Sequence, residues 1–274
     1  MKARLLRFNG SLLLGAAMTL AFMLVAIIGP AVYSVDPNAQ NILAALSIPS
    51  ADHVLGTDQL GRDVFARVLH GAQYSTGIAI SVVVLSLLMG CSLAGIAIWF
   101  GGGVSTSVSL FADSIYALPG LLVVILLADV LGGGAAVIIF LLWLVKWPEY
   151  FRLSCSIGKQ IMDSDHVLAS RLSGASGKNI FIFQFLPTML PYLLSLGALS
   201  VGQLVLSIAT IGFLGVGIAP PQAEWGAMIN DLRTYWQIAP LQLAAPVFAI
   251  MWVVLSLLIT AQSLTKQVVT VIER

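Results

Sequence analysis

The chain has 274 residues, 59% of them hydrophobic and only 9% charged, with a formal net charge of +1. A soluble domain carries about a quarter charged residues, so water is excluded as the solvent for most of this surface. The near-zero net charge also argues against nucleic acid as a partner.

In lipid every backbone polar group must be satisfied within the chain, so helices are expected, each crossing taking about 20 apolar residues. Six apolar segments predict an all-α polytopic membrane protein with six transmembrane helices in one domain, residues 1–274. The first is Leu12–Val32. Lys2, Arg4 and Arg7 precede it as in a secretory signal. Its apolar run of about 20 residues exceeds the usual 7–15, so it reads as a retained span.

Residues 34–71 form a polar external segment. There Asp58, Arg62, Asp63 and Arg67 alternate in sign. On a helix, Asp58 with Arg62 and Asp63 with Arg67 are i,i+4 pairs. This is either a self-paired surface helix or a platform for a partner.

Five core spans are expected across residues 72–264. Ala72–Phe100 and Val108–Leu131 are joined by a turn at Gly101–Gly103. A second turn, Gly132–Gly134, leads to Ala135–Trp147, which continues through Tyr150 to Leu153. Thr188–Val216 is long, with a kink expected at Pro191. Leu241–Leu264 is last. Asp113 and Asp129 lie near the two ends of the third span, and an interfacial role is favoured for both. Gly212, Gly215 and Gly217 allow close helix approach.

Between these spans, residues 152–187 form a polar loop. Asp163, Ser164 and Asp165 suit a helix start. His166–Leu172 makes about two turns, and Gly174 suits a left-handed stop. Ser176 suits the cap of a second helix, Lys178–Leu186, which leads to Pro187 and the next span. Ala169 and Ser170 are small enough for another backbone to approach. Such a loop is either an unpartnered surface element or a docking knob. A second outward loop, Ile218–Pro240, carries Pro220, Pro221, Glu224, Trp225 and Asp231. Trp225 and Trp236 suit a headgroup region.

Orientation follows from the cations. Lys2, Arg4, Arg7, Lys146, Arg152, Lys159, Arg171, Lys178, Lys266 and Arg274 fall on one side, and Arg62, Arg67 and Arg233 on the other. The excess predicts cytoplasmic N- and C-termini and a cytoplasmic 152–187 loop. Cys91 and Cys155 have neither CxxC nor metal spacing, and His53, His70 and His166 are too scattered for a local site. No metal ligand is assigned.

The loop resembles the cytoplasmic loop of ATP-binding-cassette importer permeases. That family's pattern is Glu-Ala-Ala, three residues, Gly, nine residues, Ile, one residue, Leu-Pro. Here the positions fall on Leu168, Ala169, Ser170, Gly174, Gln184, Leu186 and Pro187. The spacing matches throughout, with Leu for Glu, Ser for the second Ala and Gln for Ile. "LGTDQLGRDVFARVLHGA" (Leu55–Ala72) and "FLGVGIAPPQAEWGAMIND" (Phe213–Asp231) look like segments of the peptide and nickel permeases. "LASRLSGAS" is closest to the nickel-type second subunit.

The resemblance implies a type I importer permease of the bacterial inner membrane. It implies a second homologous permease, two ATPase subunits and an extracytoplasmic solute-binding protein as partners. Residues 152–187 would then be the ATPase-coupling loop. Asp58, Arg62, Asp63, Arg67, Glu224 and Trp225 would be candidates for contact with the binding protein or the second permease. The solute is expected to be nickel or a metal chelate, with dipeptides or oligopeptides as the alternative. The sequence leaves the substrate-binding residues unassigned. The chain carries no GxxxxGK[ST] phosphate loop, so ATP and Mg are expected to act in the partner subunits and no cofactor in this one. An ion-coupled secondary transporter would need ionisable residues deep in its spans, and only Asp113 offers itself. A hydrolase would need GxSxG, HExxH or paired intramembrane aspartates, and none is found.

Overall fold

The computed structural model describes residues 10–272, with side chains as far as residue 265. The orientation residues Lys2, Arg4, Arg7 and Arg274, the side chain of Lys266 and both expected cytoplasmic termini lie outside the described residues.

The chain is helical: α1 Gly10–Val32, α2 Val64–Phe100, α3 Gly102–Tyr116, α4 Gly120–Val130, α5 Ala135–Met162, α6 Asp165–Leu172, α7 Gly177–Ile180, α8 Leu186–Phe213, α9 Trp225–Leu232 and α10 Pro240–Ile272. The glycine turns form as the sequence predicts. Gly101 and Gly102, and all of Gly132–Gly134, have positive φ, a conformation that costs glycine little.

The fold class agrees with the sequence, but the span count differs. Among the described residues four helices are long and apolar enough to cross a membrane. A fifth crossing arises if α3 and α4 count as one span. The expected Val108–Leu131 helix is broken, with a 76° bend between α3 and α4. Pro119 sits at the break. It lacks an N–H and disfavours helical geometry at the residue before it. The remaining expected crossing, fourth in order, is α5. It runs 28 residues, well past Leu153, and is about 42 Å long. Lys146, Glu149 and Arg152 within it set it apart from the other spans.

The most extensive helix contact is α2 against α5, followed by α8 with α10 and α1 with α10. The α2–α5 contact is close because Gly90 has no side chain. A Cβ there would lie 2.6 Å from the Tyr150 Cβ and 2.7 Å from the Phe151 amide nitrogen. Small residues bring helices together where lipid supplies no hydrophobic drive. Ala94, Ala97 and Ala112 continue the seam onto α3, around Trp147 and Phe151.

At the N-terminal end of α2 the external segment folds onto α9. Here the expected surface helix is not found. Asp58 and Arg62 lie in turns, and helix begins only at Val64. All four charges are buried. The Asp58–Arg62 pair does form, with Arg62 Nε donating to Asp58 Oδ2 at 2.6 Å. Arg62 also donates to Asp231 across the chain at 3.1 Å. Asp63 does not pair with Arg67. It caps α2 through the Ala66 N–H at 2.8 Å and accepts from the Tyr33 hydroxyl at 3.0 Å. Its second oxygen also meets His53 Nδ1 at 2.8 Å. Arg67 reaches Asp58 at 3.5 Å and the Pro37 carbonyl at 3.1 Å. Alternating charges look like a surface in sequence. Here they are a buried polar core tying residues 33–63 to α2 and α9.

Trp225 and Glu224 are also internal. Trp225 is fully buried, donates its indole N–H to the Val68 carbonyl at 3.1 Å and meets Phe22 edge-on. It is therefore not a headgroup anchor, whereas Trp236 is exposed. Glu224 caps α9 with both oxygens, accepting from Gly226 and Ala227 N–H at 2.8 Å each. The bare face of Gly212 makes room for its carboxylate. That glycine thus serves packing within the chain, while Gly215 and Gly217 lie beyond the end of α8.

Two predictions follow from this end of the molecule. Arg62→Met leaves Asp231 without its ion pair and Asp58 with only Arg67, at 3.5 Å, and is expected to cost about 3 kcal/mol, read as a lowered melting temperature of the purified protein in detergent. Burial pushes the Glu224 carboxyl up from 4.5 to about 6, against the lowering by its two backbone donors. A raised folded-state pKa means the folded form binds the proton more tightly. Stability is then expected to fall by about 2 kcal/mol in all as pH rises from below about 4.5 to above about 6. Thermal melts of Glu224→Gln over that range should lack this slope.

Candidate functional site

At the other end of α2, Trp99 lies against Gly177, so the loop after α5 gathers opposite the buried charge network. The loop begins later than expected, because α5 continues to Met162. Ser164 occupies the cap position of α6, but its hydroxyl donates to the Ile161 carbonyl and caps no amide. Val167 is fully buried and anchors α6 to the core. Leu168 and Leu172, one helical turn apart, are 55% and 81% exposed. Ala169 and Arg171 are exposed beside them. The outward surface of α6 is therefore apolar at Leu168, Ala169 and Leu172.

Gly174 has φ +80° and ends α6 as the sequence predicts. Ser176 caps α7 by accepting from the Asn179 N–H at 3.3 Å. The second helix leads through Pro187 into the next span. It widens into a π turn, Phe181–Phe185, and continues as α8. Pro187 cannot donate to the Phe183 carbonyl and its ring would crowd that group. A wider turn just before it relieves the clash.

Ser170 faces inward more than expected. It donates to the His166 carbonyl at 2.8 Å and accepts from Gln184 Nε2 at 2.7 Å. The two positions that depart from the importer pattern by gaining polarity thus bond each other. They pin α6 to the π turn at the base of α8. Leu186 and Pro187 remain exposed.

A second polar cluster lies halfway along the bundle. Lys146 is about 16 Å from the Ala135 end of α5, and Gln203 is about 15 Å from the Phe213 end of α8. Lys146 Nζ lies 2.5 Å from Glu149 and 2.9 Å from Gln203 Oε1. The charge count placed Lys146 with the cytoplasmic cations. It belongs instead to mid-helix, because α5 runs beyond Leu153 to Met162. Asp113 pairs with Arg152 of the same chain, and the Arg152 guanidinium lies 4.4 Å from the centre of the Tyr116 ring. The signal that would have found this cluster is the spacing of Lys146, Glu149 and Arg152 on one helical stripe.

His70 bonds the Ala66 carbonyl, and His166 approaches Ser164. Among the described residues no three His, Cys, Asp or Glu side chains gather as a metal site would require. Cys91 and Cys155 are free thiols.

Sequence comparison places this geometry in a family. Residues 82–270 match the binding-protein-dependent transport system inner membrane component family. The nickel transport system permease protein NikC of Escherichia coli K12 is 36% identical over 215 residues, 78% of each chain. The dipeptide transport system permease protein DppC of Alkalihalophilus pseudofirmus is 31% identical over 250 residues, 91% of this chain and 82% of its own. The di/tripeptide permease protein DppC of Pseudomonas aeruginosa is 34% identical over 253 residues, 89% and 84%. The chain belongs to the binding-protein-dependent transport system inner membrane component family.

Proposed function

We propose that this chain is one transmembrane half of an ATP-driven importer in the bacterial cytoplasmic membrane. It pairs with a second homologous permease, and each half rests on an ATPase subunit. A solute-binding protein delivers cargo to the face formed by residues 34–63 and α9. The α6 end and both termini face the cytoplasm. The chain itself is non-catalytic, with ATP and Mg used by the ATPase subunits.

The observation that carries this reading is the outward surface of α6. Leu168, Ala169 and Leu172 form an apolar patch on a polar loop, while Val167 and the Ser170–Gln184 bond hold the helix to the bundle. A helix fixed on one side and apolar on the other suits insertion into a groove of a moving partner. Gly174, Leu186 and Pro187 set the turn and the re-entry. Asp58, Arg62, Asp63, Arg67, Glu224 and Trp225 are buried within the chain. Their part in receiving the binding protein is to hold that face in shape. Ile42, Leu43 and Ile48, exposed on the same segment, supply its contact surface.

The cargo we propose is nickel, bare or chelated, supported by the 36% identity to the nickel permease protein. Peptide import is the second reading, supported by the Lys146–Glu149 pair described above and by the dipeptide permease relatives.

Ala169→Arg and Leu172→Asp are expected to leave the permease in the membrane. Each should lower solute uptake about tenfold or more while the assembled ATPase still hydrolyses ATP, since a buried unpaired charge in the groove costs more than a decade in affinity. Paired measurements of uptake and phosphate release in proteoliposomes test this. Uptake equal to the unmodified transporter would exclude α6 as the coupling element. A Ser170→Ala, Gln184→Ile double variant restores the apolar pattern at both positions and is expected to keep uptake within about twofold, because it removes both ends of one bond together.

A further inference from the structure

We propose that Lys146, Glu149 and Gln203 form a mid-membrane station for a solute that carries a carboxylate. This deepens the importer reading and rests on it.

The three side chains border a cavity of about 260 Å³ between α5, α8 and the break that separates α3 from α4. Leu118 and Gly120, which flank Pro119, lie at its edge. An interrupted helix beside ionisable groups near the bilayer midplane is a recurrent way to build a solute site in membrane transporters. The cavity is open on one side, where the second permease closes it in the proposed assembly.

An ammonium and a carboxylate at this depth are costly to keep in lipid, so they belong against protein or a water-filled passage. Lys146 has three donors. One meets Glu149 and one meets Gln203. The third is left for a ligand, and its side chain is 14% exposed, too little for full hydration. A donor in that position rewards an acceptor brought by the solute. Glu149 is 28% exposed and offers its remaining lone pairs to an ammonium or a hydroxyl on the same molecule.

A bare divalent cation fits poorly. Glu149 is the single acid lining the cavity among the described residues, and Lys146 holds a positive charge 2.5 Å from it. A free peptide brings a carboxylate and an ammonium. A chelated metal brings the carboxylate of its chelator. Both sources present the same chemistry to Lys146.

The test uses the complete transporter, with both permeases, the ATPases and the binding protein, in proteoliposomes. The probes are a free dipeptide, the same dipeptide amidated at its C-terminus, nickel citrate and aquated nickel. Lys146→Gln is expected to lower uptake of the carboxylate-bearing cargo about tenfold at unchanged binding-protein affinity, and Lys146→Arg to stay within about threefold. If the cargo is a peptide, the amidated form should enter slowly and should not respond to Lys146→Gln. If it is a chelate, nickel citrate should respond and the peptides should not enter. Uptake of aquated nickel alone overturns the proposal, as does carboxylate-bearing uptake indifferent to Lys146→Gln. Should Lys146→Gln fail to assemble, Gln203→Leu keeps both charges. It is expected to lower uptake about threefold by removing the acceptor that holds Lys146 Nζ toward the cavity, and unchanged uptake would again overturn the proposal. Uptake that does not need ATP in the unmodified transporter would instead sink the importer reading.

Discussion

Everything in this chain is hung on the contact between α2 and α5. Gly90 lets the two backbones meet at Tyr150 and Phe151, and among the described residues this is the most extensive helix–helix contact. Both helices are far longer than a crossing needs. The excess of α2 at its N-terminal end carries the Asp63 cap and Arg67, the anchors of the external segment. The excess of α5 at its C-terminal end carries Ile161 and leads directly into α6. In the proposed importer, a movement imposed on α6 would reach the opposite face through one seam of small residues and close-packed aromatics. Close-packed interiors pass on strain and do not absorb it.

The two ends are fastened by different chemistry. The α9 end uses ions: Arg62 and Arg67 share the buried Asp58, and Arg62 reaches on to Asp231 of α9. Such a network fixes geometry, since removing one member leaves the others unpaired at high cost. The α6 end uses one buried valine and one neutral hydrogen bond, Ser170 to Gln184. That is enough to orient a short helix while leaving its leucines outward. It is also an end that a partner can grip without breaking an ionic core.

Much of this was readable from residue order. Long apolar runs marked the crossings, glycine triplets marked the turns, and Gly174 and Ser176 marked the hairpin after α5, because each rests on local backbone chemistry. What stayed hidden depends on depth. Asp58, Arg62, Asp63 and Arg67 have the pattern of a solvated helix, and only the fold of residues 33–63 over them makes them a core. In sequence Lys146 counts with the cations of the following loop, yet helix continues beyond the expected Leu153 to Met162 and leaves it in mid-helix. Pro119 in an apolar run did not announce a 76° bend, since proline inside a membrane helix is often tolerated. The Ser170–Gln184 bond joins two departures from a familiar pattern that, read singly, look like losses.

The account makes the chain a rigid lever, with α6 as its handle and the Lys146 cavity near its middle. The most direct test is a pair of spin-label distances in the assembled transporter, with and without ATP. One spans this chain, from a label at Leu172 to one at Trp236. The other spans the two permeases, from Leu172 to the equivalent loop of the second. The account predicts an intrachain distance that stays constant while the distance between permeases changes on ATP binding. An intrachain distance that shifts while the permeases hold still would show α6 moving on its own, and the lever would be wrong.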